Sequence, residues 1–217
     1  MSADLIALLL KASGETIRMV AVSMLAATLL GIPLGVLLLV TGKRQILECT
    51  PLNRVLAAVI NAVRSVPFII LMVAIIPFTR LIAGTSIGTT AAMVPLTIAA
   101  IPFIGRQVET SLREVPYGII EAALAMGASP FQIIRRVYLP EAMPSIVAQL
   151  TTVVIALVGA SAMAGAIGGG GLGDLAIRFG YQRFRPEVML ATIVVLVVLV
   201  QFIQFAGNQL SRRLNKK

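Results

Sequence analysis

The chain of 217 residues contains no histidine, no tryptophan and one cysteine, and only 12% of its residues are charged. The lack of histidine excludes His-based catalytic triads, the inventory leaves no zinc site, and a single cysteine cannot form an intramolecular disulfide. Soluble domains carry about 25% charged residues, whereas this chain is 58% hydrophobic. The composition therefore predicts a membrane protein. Its length allows roughly four to six spans of about 20 residues and no separate soluble catalytic domain.

Long runs without charge predict an all-α, polytopic membrane protein with five transmembrane helices. The first run begins at Met19 and is longer than the apolar region of a signal peptide, so it is expected to be a retained span. The uncharged run from Ala142 to Gly173 is too long for one crossing and ends in glycines, so a fourth span and a glycine-rich turn are expected there. The predicted spans are 19–40, 56–77, 90–104, 146–164 and 188–206.

The distribution of basic residues predicts the orientation. With five spans the termini lie on opposite sides, and the side richer in Lys and Arg is expected to be cytoplasmic. One side holds eleven basic residues and the other six, which places the N-terminus outside and the C-terminus in the cytoplasm. The eleven are Lys43, Arg44, Arg54, Arg106, Arg113, Arg135, Arg136, Arg212, Arg213, Lys216 and Lys217; the six are Lys11, Arg18, Arg80, Arg178, Arg183 and Arg185.

Arg64 falls inside the second apolar segment and is left out of that count. Two interpretations are open. Its side chain either extends to the cytoplasmic interface, as long basic side chains near span ends do, or it faces the pore or pairs with another helix.

The net charge of +9 does not indicate nucleic-acid binding, because the 18 Lys and Arg residues are divided among several loops and the tail. The terminal cluster is instead expected to hold the last span against anionic membrane lipid. It consists of Arg212, Arg213, Lys216 and Lys217.

Capping signals divide the segment between the third and fourth spans into two helices. Pro116 favours a helix start, and a run of strong helix formers over Tyr117–Met126 ends at Gly127, which suits a left-handed cap. Ser129 and Gln132 then have the spacing of a capping box.

The second of these helices is expected over Phe131–Tyr138, with Phe131, Ile134 and Tyr138 on one face. Pro140 is expected to end it.

The same segment resembles the EAA loop of bacterial ABC importer permeases. The residues that carry the likeness are Glu121, Ala122, Ala123, Gly127, Leu139 and Pro140, and Val137 stands where that family usually has Ile. The resemblance implies that 105–144 is a cytoplasmic coupling loop and that Tyr117–Ser129 inserts into a groove of a separate ATPase subunit. The alternative is an ordinary amphipathic helix at the membrane interface.

Further segments are similar to methionine ABC importer permeases, a family of short five-span subunits. They are 64–70, 76–80, 84–88, 94–97 and 161–163. The resemblance implies a multi-pass inner-membrane protein that forms a homodimer, with two ABC ATPase subunits beneath it and an extracytoplasmic substrate-binding protein above. ATP and Mg would be bound by the ATPase, with no cofactor in this chain. The family implies import of methionine by alternating access; another small amino acid or related compound is the alternative.

Small residues surround Met163 in the fourth span, so Gly159, Ser161 and Met163 are candidates for the pore and its gate. Met163 either closes the pore against its symmetry mate or fills space between helices. The Ser161 hydroxyl either meets the substrate or bonds a backbone carbonyl, as hydroxyls in membrane helices commonly do.

Other patterns carry less weight. Gly168, Gly170 and Gly173 match G-x-G-x-x-G but follow an apolar helix, so a dinucleotide site is not expected. Gly31 and Gly35 are spaced for helix packing. The spans hold no paired carboxylates or Ser-Lys set for an intramembrane enzyme, and no row of ionisable residues for a secondary carrier. The chain is therefore expected to be a transport subunit without a catalytic site.

Overall fold

The computed structural model describes residues 3–215, and this part of the chain contains helices and turns but no strands. Ten α-helices follow one another within it, and three short π-helical turns lie among them. The α-helices are α1 (Ala3–Val40), α2 (Thr50–Ser65), α3 (Phe68–Ala74), α4 (Ile76–Ala83), α5 (Thr89–Arg113), α6 (Tyr117–Ala125), α7 (Pro130–Ile133), α8 (Leu139–Ala164), α9 (Gly171–Leu175) and α10 (Pro186–Leu214).

Within residues 3–215, four helical segments are long and apolar enough to cross a membrane, and the number is five if the pair α2 and α3, bent by 101°, is counted as one broken span. The four are α1, α5, the continuous segment Pro130–Gly169 and α10. The prediction of an all-α polytopic fold is therefore confirmed.

The last span, α10, carries the first half of the terminal basic cluster. Arg212 and Arg213 lie in its last turn. Lys216 and Lys217, the other two members of that cluster, lie outside the described residues.

The segment predicted as the second span, 56–77, is divided among three helices. α2 ends at Ser65, and Pro67 occupies the N-cap position of α3. Proline lacks the N–H that an uninterrupted helix needs, and it disfavours helical geometry in the residue before it. A second break lies at Ile75, between α3 and α4.

α1 begins at Ala3, well before the apolar run that predicts the first span. Lys11, Glu15 and Arg18 interrupt the hydrophobic pattern. They do not interrupt the helix, because long charged side chains are good helix formers.

The chain divides into two compact units. The first consists of the chain up to Ala27 together with 66–100 and 154–204. Its core contains a cluster in which α1 packs against α9 and the start of α10. The buried residues of this cluster are Leu5, Leu9, Ala12, Leu172, Leu175 and Val188.

The second unit consists of 28–65, 101–153 and the chain from Phe205 onward. In it, Gly31 and Gly35 of α1 lie against α5. A Cβ atom on Gly31 would come within 2.6 Å of Ile104 Cγ2, and one on Gly35 within 2.6 Å of Val108 Cβ. The two glycines therefore allow close helix packing, and that interpretation of their spacing is confirmed.

Arg64, in the last turn of α2, pairs with a helix of the same unit. Its guanidinium lies 4.9 Å from the ring centroid of Phe103 on α5, a cation–π contact. Of the two interpretations left open by the sequence, the structure favours helix pairing.

Candidate functional site

The first half of the candidate coupling loop is α6, and its end is defined by Gly127. This glycine has φ +76, in the left-handed region that side chains rarely adopt. Its N–H donates to the Leu124 carbonyl at 2.9 Å, and the N–H of Ala128 donates to the Ala123 carbonyl at 3.1 Å. These two bonds form a Schellman motif, which satisfies carbonyls that a helix end otherwise leaves free. The predicted left-handed cap at Gly127 is confirmed.

The second half begins with a complete capping box. Ser129 Oγ accepts a hydrogen bond from the Gln132 N–H at 3.4 Å, and Gln132 Oε1 accepts one from the Ser129 N–H at 2.8 Å. Pro130 lies in the first turn, where its missing N–H costs nothing. The C-terminal end of α6 and the N-terminal end of α7 are therefore both capped, on either side of Gly127 and Ala128, as the sequence predicts.

The prediction that Pro140 ends a helix over Phe131–Tyr138 is wrong. α7 stops at Ile133 and passes through a π-helical turn, Ile134–Tyr138, directly into α8. In this turn the Leu139 N–H donates to the Ile134 carbonyl, five residues back. Pro140 therefore occupies the first turn of α8 rather than the interior of a longer α-helix, and there its missing N–H is tolerated.

The expected common face of Phe131, Ile134 and Tyr138 is also wrong. Tyr138 is buried, but 67% of Phe131 is exposed. A π turn adds a residue to the helical repeat, so the spacing of a regular α-helix no longer brings these positions onto one face.

One face of α6 is buried and the other is open. Ile120 and Ala123 are buried, whereas Glu121 and Ala122 are exposed. Of the residues Glu121, Ala122 and Ala123, the last therefore packs inside the protein and the first contributes to the exposed surface.

Large apolar side chains are exposed around Gly127, and we call them, with Glu121, the coupling surface. Exposed apolar groups of this kind, adjacent to polar residues, are typical of an interface with another protein or with the membrane. The EAA pattern alone did not single them out; bulky apolar residues on both sides of a turn glycine are the signal that could have found them. The coupling surface consists of Tyr117, Glu121, Leu124, Met126 and Phe131.

Leu139 and Pro140, the last motif residues, form the first turn of α8, with Leu139 half-buried and Pro140 exposed. Next to them, the Tyr138 hydroxyl donates to Gln45 Oε1 at 3.0 Å. This bond ties the end of the coupling loop to the turn that follows α1 in the same unit.

An ion cluster with a buried carboxylate lies on α5, shortly before α6. Glu109 is 3% exposed and accepts hydrogen bonds from Arg106 and Arg113. The charge count of the sequence uses these arginines only as orientation signals, so it missed the cluster. The spacing of three and four residues around Glu109 is the signal that could have found it, because such residues are neighbours on a helix surface.

The three pore candidates lie on α8 but not on one face. Gly159 is exposed, and Met163, four residues later on the same side of the helix, is 53% exposed. Ser161 is buried, and its hydroxyl donates to the Val158 carbonyl at 2.7 Å. Of the two interpretations of Ser161, contact with the substrate or a hydrogen bond to a backbone carbonyl, the structure shows the hydrogen bond.

The glycine run after α8 forms a tight turn in the first unit. Gly168, Gly170 and Gly171 all have positive φ. A Cβ on Gly165 would come within 2.5 Å of the Asp174 backbone nitrogen, so this glycine lets α9 fold back closely. The pattern G-x-G-x-x-G thus serves backbone packing here.

A cavity of about 470 Å³ lies beside this turn and carries charges of both signs. Lys11, Glu15, Asp174 and Arg178 line it, and Arg178 pairs with Asp174 at 3.2 Å. Within residues 3–215 no group of three or more His, Cys, Asp or Glu side chains is placed to hold a metal ion.

The sequence matches known transport proteins over most of its length. Residues 27–216 match the family described as binding-protein-dependent transport system inner membrane component. The chain is 57% identical over 210 residues to the probable D-methionine transport system permease protein MetI of Vibrio cholerae, covering 97% of this chain and 93% of that protein. It is 52% identical over 165 residues to the D-methionine transport system permease protein MetI of Escherichia coli K12, covering 76% of each.

Solved structures give the same result. The chain is similar to one in inward-facing conformations of the MetNI methionine ABC transporter, with a TM-score of 0.98, 50% sequence identity and full coverage of both chains. An amino acid ABC transporter crystallised with histidines has a TM-score of 0.78 at 19% identity over 98% of this chain and all of that one, which is a likeness of fold.

Proposed function

Because the chain belongs to the family of binding-protein-dependent transport system inner membrane components, we propose that it is the permease subunit of an ABC importer that moves methionine across the inner membrane. The observation that supports methionine as the substrate is the full-length match to the MetNI methionine ABC transporter at 50% identity. The D-methionine permeases from several bacteria support the same assignment. The chain itself is a multi-pass transport component without an ATPase site.

The proposed assembly is a dimer of this chain with two ABC ATPase subunits on the cytoplasmic side and a substrate-binding protein on the other. The coupling surface supports the ATPase contact, since Met126 is 81% exposed and Phe131 is 67% exposed beside Glu121. Apolar side chains of this size are stabilised when a partner covers them. ATP and Mg would be bound by the partner alone.

We also propose that the N-terminus is outside and the C-terminus cytoplasmic, because eleven basic residues lie on one predicted side and six on the other. This orientation places the coupling surface in the cytoplasm, where an ATPase is available. Closure of the ATPases would then displace α6, and inward- and outward-facing states would interconvert.

The proposal is tested by uptake into proteoliposomes that contain the permease, its ATPase and its binding protein. Labelled methionine should accumulate only with ATP inside, and unlabelled methionine should compete. If labelled methionine does not accumulate but another labelled small amino acid does so in the presence of ATP, that amino acid replaces methionine as the substrate and the importer class stays intact.

The contact with the ATPase is tested by Met126→Glu, which puts a charge into the coupling surface. The control is Tyr181→Glu, a change at a residue that is 68% exposed and lies at the end of the π-helical turn Ala176–Tyr181, away from the coupling loop in the sequence. Met126→Glu should reduce the amount of ATPase that copurifies with the chain in detergent, and Tyr181→Glu should not. Equal recovery with both variants would contradict the proposed contact.

A further inference from the structure

The carboxylate of Glu109 is held by two arginines on its own helix. Oε2 accepts from Arg106 Nη1 at 2.6 Å, and Oε1 accepts from Arg113 Nη2 at 2.7 Å and Nε at 3.2 Å. A buried carboxylate is costly unless it is paired in this way, and a buried ion pair contributes little more stability than well-packed apolar side chains would. The cluster is therefore better explained by the geometry it imposes.

Arg106 extends the cluster to a second helix. Its Nη2 donates to Asn61 Oδ1 on α2 at 2.9 Å. Three residues later on α2, Arg64 lies over Phe103, which is three residues before Arg106 on α5. Two neighbouring contacts thus fix how α2 lies along α5. Directional hydrogen bonds to a charged group resist sliding, whereas apolar contacts can repack.

Arg113 extends the cluster toward α6. It is the last residue of α5, and only 114–116 separate it from α6. Val115 in this linker is buried, and its N–H donates to the Leu112 carbonyl at 3.4 Å. α6 is therefore joined to the end of α5 by a short linker that is itself packed and hydrogen-bonded to α5.

We propose that Glu109 is a positioning residue for coupling, and that it makes α2 and residues 101–113 of α5 move as one body when the ATPase displaces α6. Without the carboxylate, Arg106 and Arg113 repel each other and the contact with Asn61 is released. Motion of the coupling loop would then no longer reach α2. The role in transport rests on the proposed function.

The first test measures the motion itself. Spin labels are placed at exposed Ala62 on α2 and exposed Thr110 on α5, in a Cys49→Ser background that removes the single native thiol. In the assembled transporter, the distance distribution between the labels should be the same without nucleotide and with ATP bound. In Glu109→Gln it should broaden and differ between the two states. A variant that retains the parent distribution in both states would overturn the proposal.

The second test measures the ratio of methionine transported to ATP hydrolysed. Losing a hydrogen-bonded charge contact corresponds to about a tenfold effect, so Glu109→Gln should lower this ratio about tenfold while ATP hydrolysis continues. The matched control is Thr110→Val, because the Thr110 hydroxyl donates to the Arg106 carbonyl within α5. If Glu109→Gln keeps the ratio of the parent protein, the proposed role is contradicted. A residue with a purely structural role would not change this ratio.

Asn61→Leu keeps the ion cluster and removes only the hydrogen bond from Arg106 to α2. Both tests can therefore be made with this variant if Glu109→Gln fails to assemble. Asn61→Leu should also lower the ratio of methionine transported to ATP hydrolysed. The double variant should have a ratio no lower than that of the more severe single variant, because the two residues act through one contact. Fully additive losses would contradict a shared path. If the parent complex does not transport methionine, the substrate assignment fails, and the label distances still decide the role of Glu109.

Discussion

The backbone N–H of Gly171 donates to Oε2 of Glu15 at 2.8 Å, across 156 positions of sequence. The next N–H, that of Leu172, donates to Thr16 Oγ1 at 2.9 Å. The first N–H groups of a helix have no partner inside it, and the N-cap of α9 is Gly170, which has no side chain to accept from them. Two consecutive side chains of α1 therefore cap α9 and hold the glycine-rich turn in place.

Glu15→Ala should consequently lower the stability of the protein. It leaves the N–H of Gly171 without its acceptor, which costs about 1–3 kcal/mol. The control is Asp4→Ala, because Asp4 is exposed in the first turn of the same helix and a surface change there should cost less than about 0.5 kcal/mol. Thermal unfolding of the purified complex in detergent measures both. A midpoint for Glu15→Ala equal to that of Asp4→Ala would show that this bond does not hold the turn.

Gly35→Ala and Gly14→Ala are the same change in the same helix and should act in opposite directions. A Cβ on Gly35 would lie 2.6 Å from the Gly105 carbonyl oxygen, so α1 and α5 must separate, at a cost of about 1–3 kcal/mol. Nothing lies within 4 Å of a Cβ on Gly14, where alanine should stabilise the helix by up to about 1 kcal/mol. Thermal unfolding in detergent distinguishes them. Equal shifts would mean that α1 and α5 do not pack as closely as the structure shows.

Gly127→Ala should disturb the coupling loop without a steric clash. No atom lies within 4 Å of a Cβ there, but φ is +76, and that conformation costs a residue with a side chain about 1–2 kcal/mol. Gly127→Asn should cost less, since asparagine tolerates this region. ATP-driven methionine uptake should therefore be highest in the parent protein, lower in Gly127→Asn and lowest in Gly127→Ala. Uptake by both variants equal to that of the parent protein would show that the left-handed turn is not needed for coupling.

Local capping chemistry was predictable from the sequence, because its partners are a few residues apart. Ser129 and Gln132 form their capping box, and Gly127 forms its left-handed turn, with bonds confined to the loop. The position of Pro140, in the first turn of α8 rather than at the end of a helix, was not predictable in the same way. It depends on the π turn before it, and nothing in the side chains of Ile134–Tyr138 specifies an extra residue in the helical repeat.

Contacts between distant segments were also beyond the sequence. Glu15 and Gly171 are brought together only by the packing of α1 against α9. Glu109 was visible as part of a charge pattern on α5, but its contact with Asn61 through Arg106 requires the placement of α2. One sequence does not give helix pairings, so the contact between α5 and α2 could not be predicted, whereas the pairs within α5 were open to prediction from their spacing of three and four residues.

The proposed orientation can be checked with the single native thiol. Cys49 is exposed, and its loop belongs to the proposed cytoplasmic side. A membrane-impermeant maleimide should therefore leave Cys49 unlabelled in right-side-out vesicles and label it after permeabilisation. A second protein, with Cys49→Ser and Tyr181→Cys, should be labelled in intact vesicles, since Tyr181 is exposed and precedes the last span. The reverse pattern would invert the topology and remove the coupling loop from the cytoplasm.

The last prediction separates the two interpretations of Met163, the gate and the space filler. Met163 is 53% exposed and lies on the same side of α8 as exposed Gly159, so within one chain its side chain is largely uncovered. Truncating a buried methionine costs about 2–5 kcal/mol, but an uncovered one leaves no cavity of that kind. If Met163 closes the pore against its symmetry mate, Met163→Ala should leave stability nearly unchanged and raise ATP-independent methionine leakage from proteoliposomes several-fold.

Met163→Leu should restore the seal, because it keeps most of the volume. The matched control is Met143→Ala, an exposed methionine in the first turns of the same helix, which should cause no leakage. A space-filling Met163 gives the opposite pair of results: a stability loss typical of a core truncation, and vesicles that remain tight. The two measurements together decide the question, because a gate is required only in the assembled pore, whereas a packing residue is required wherever the helices fold.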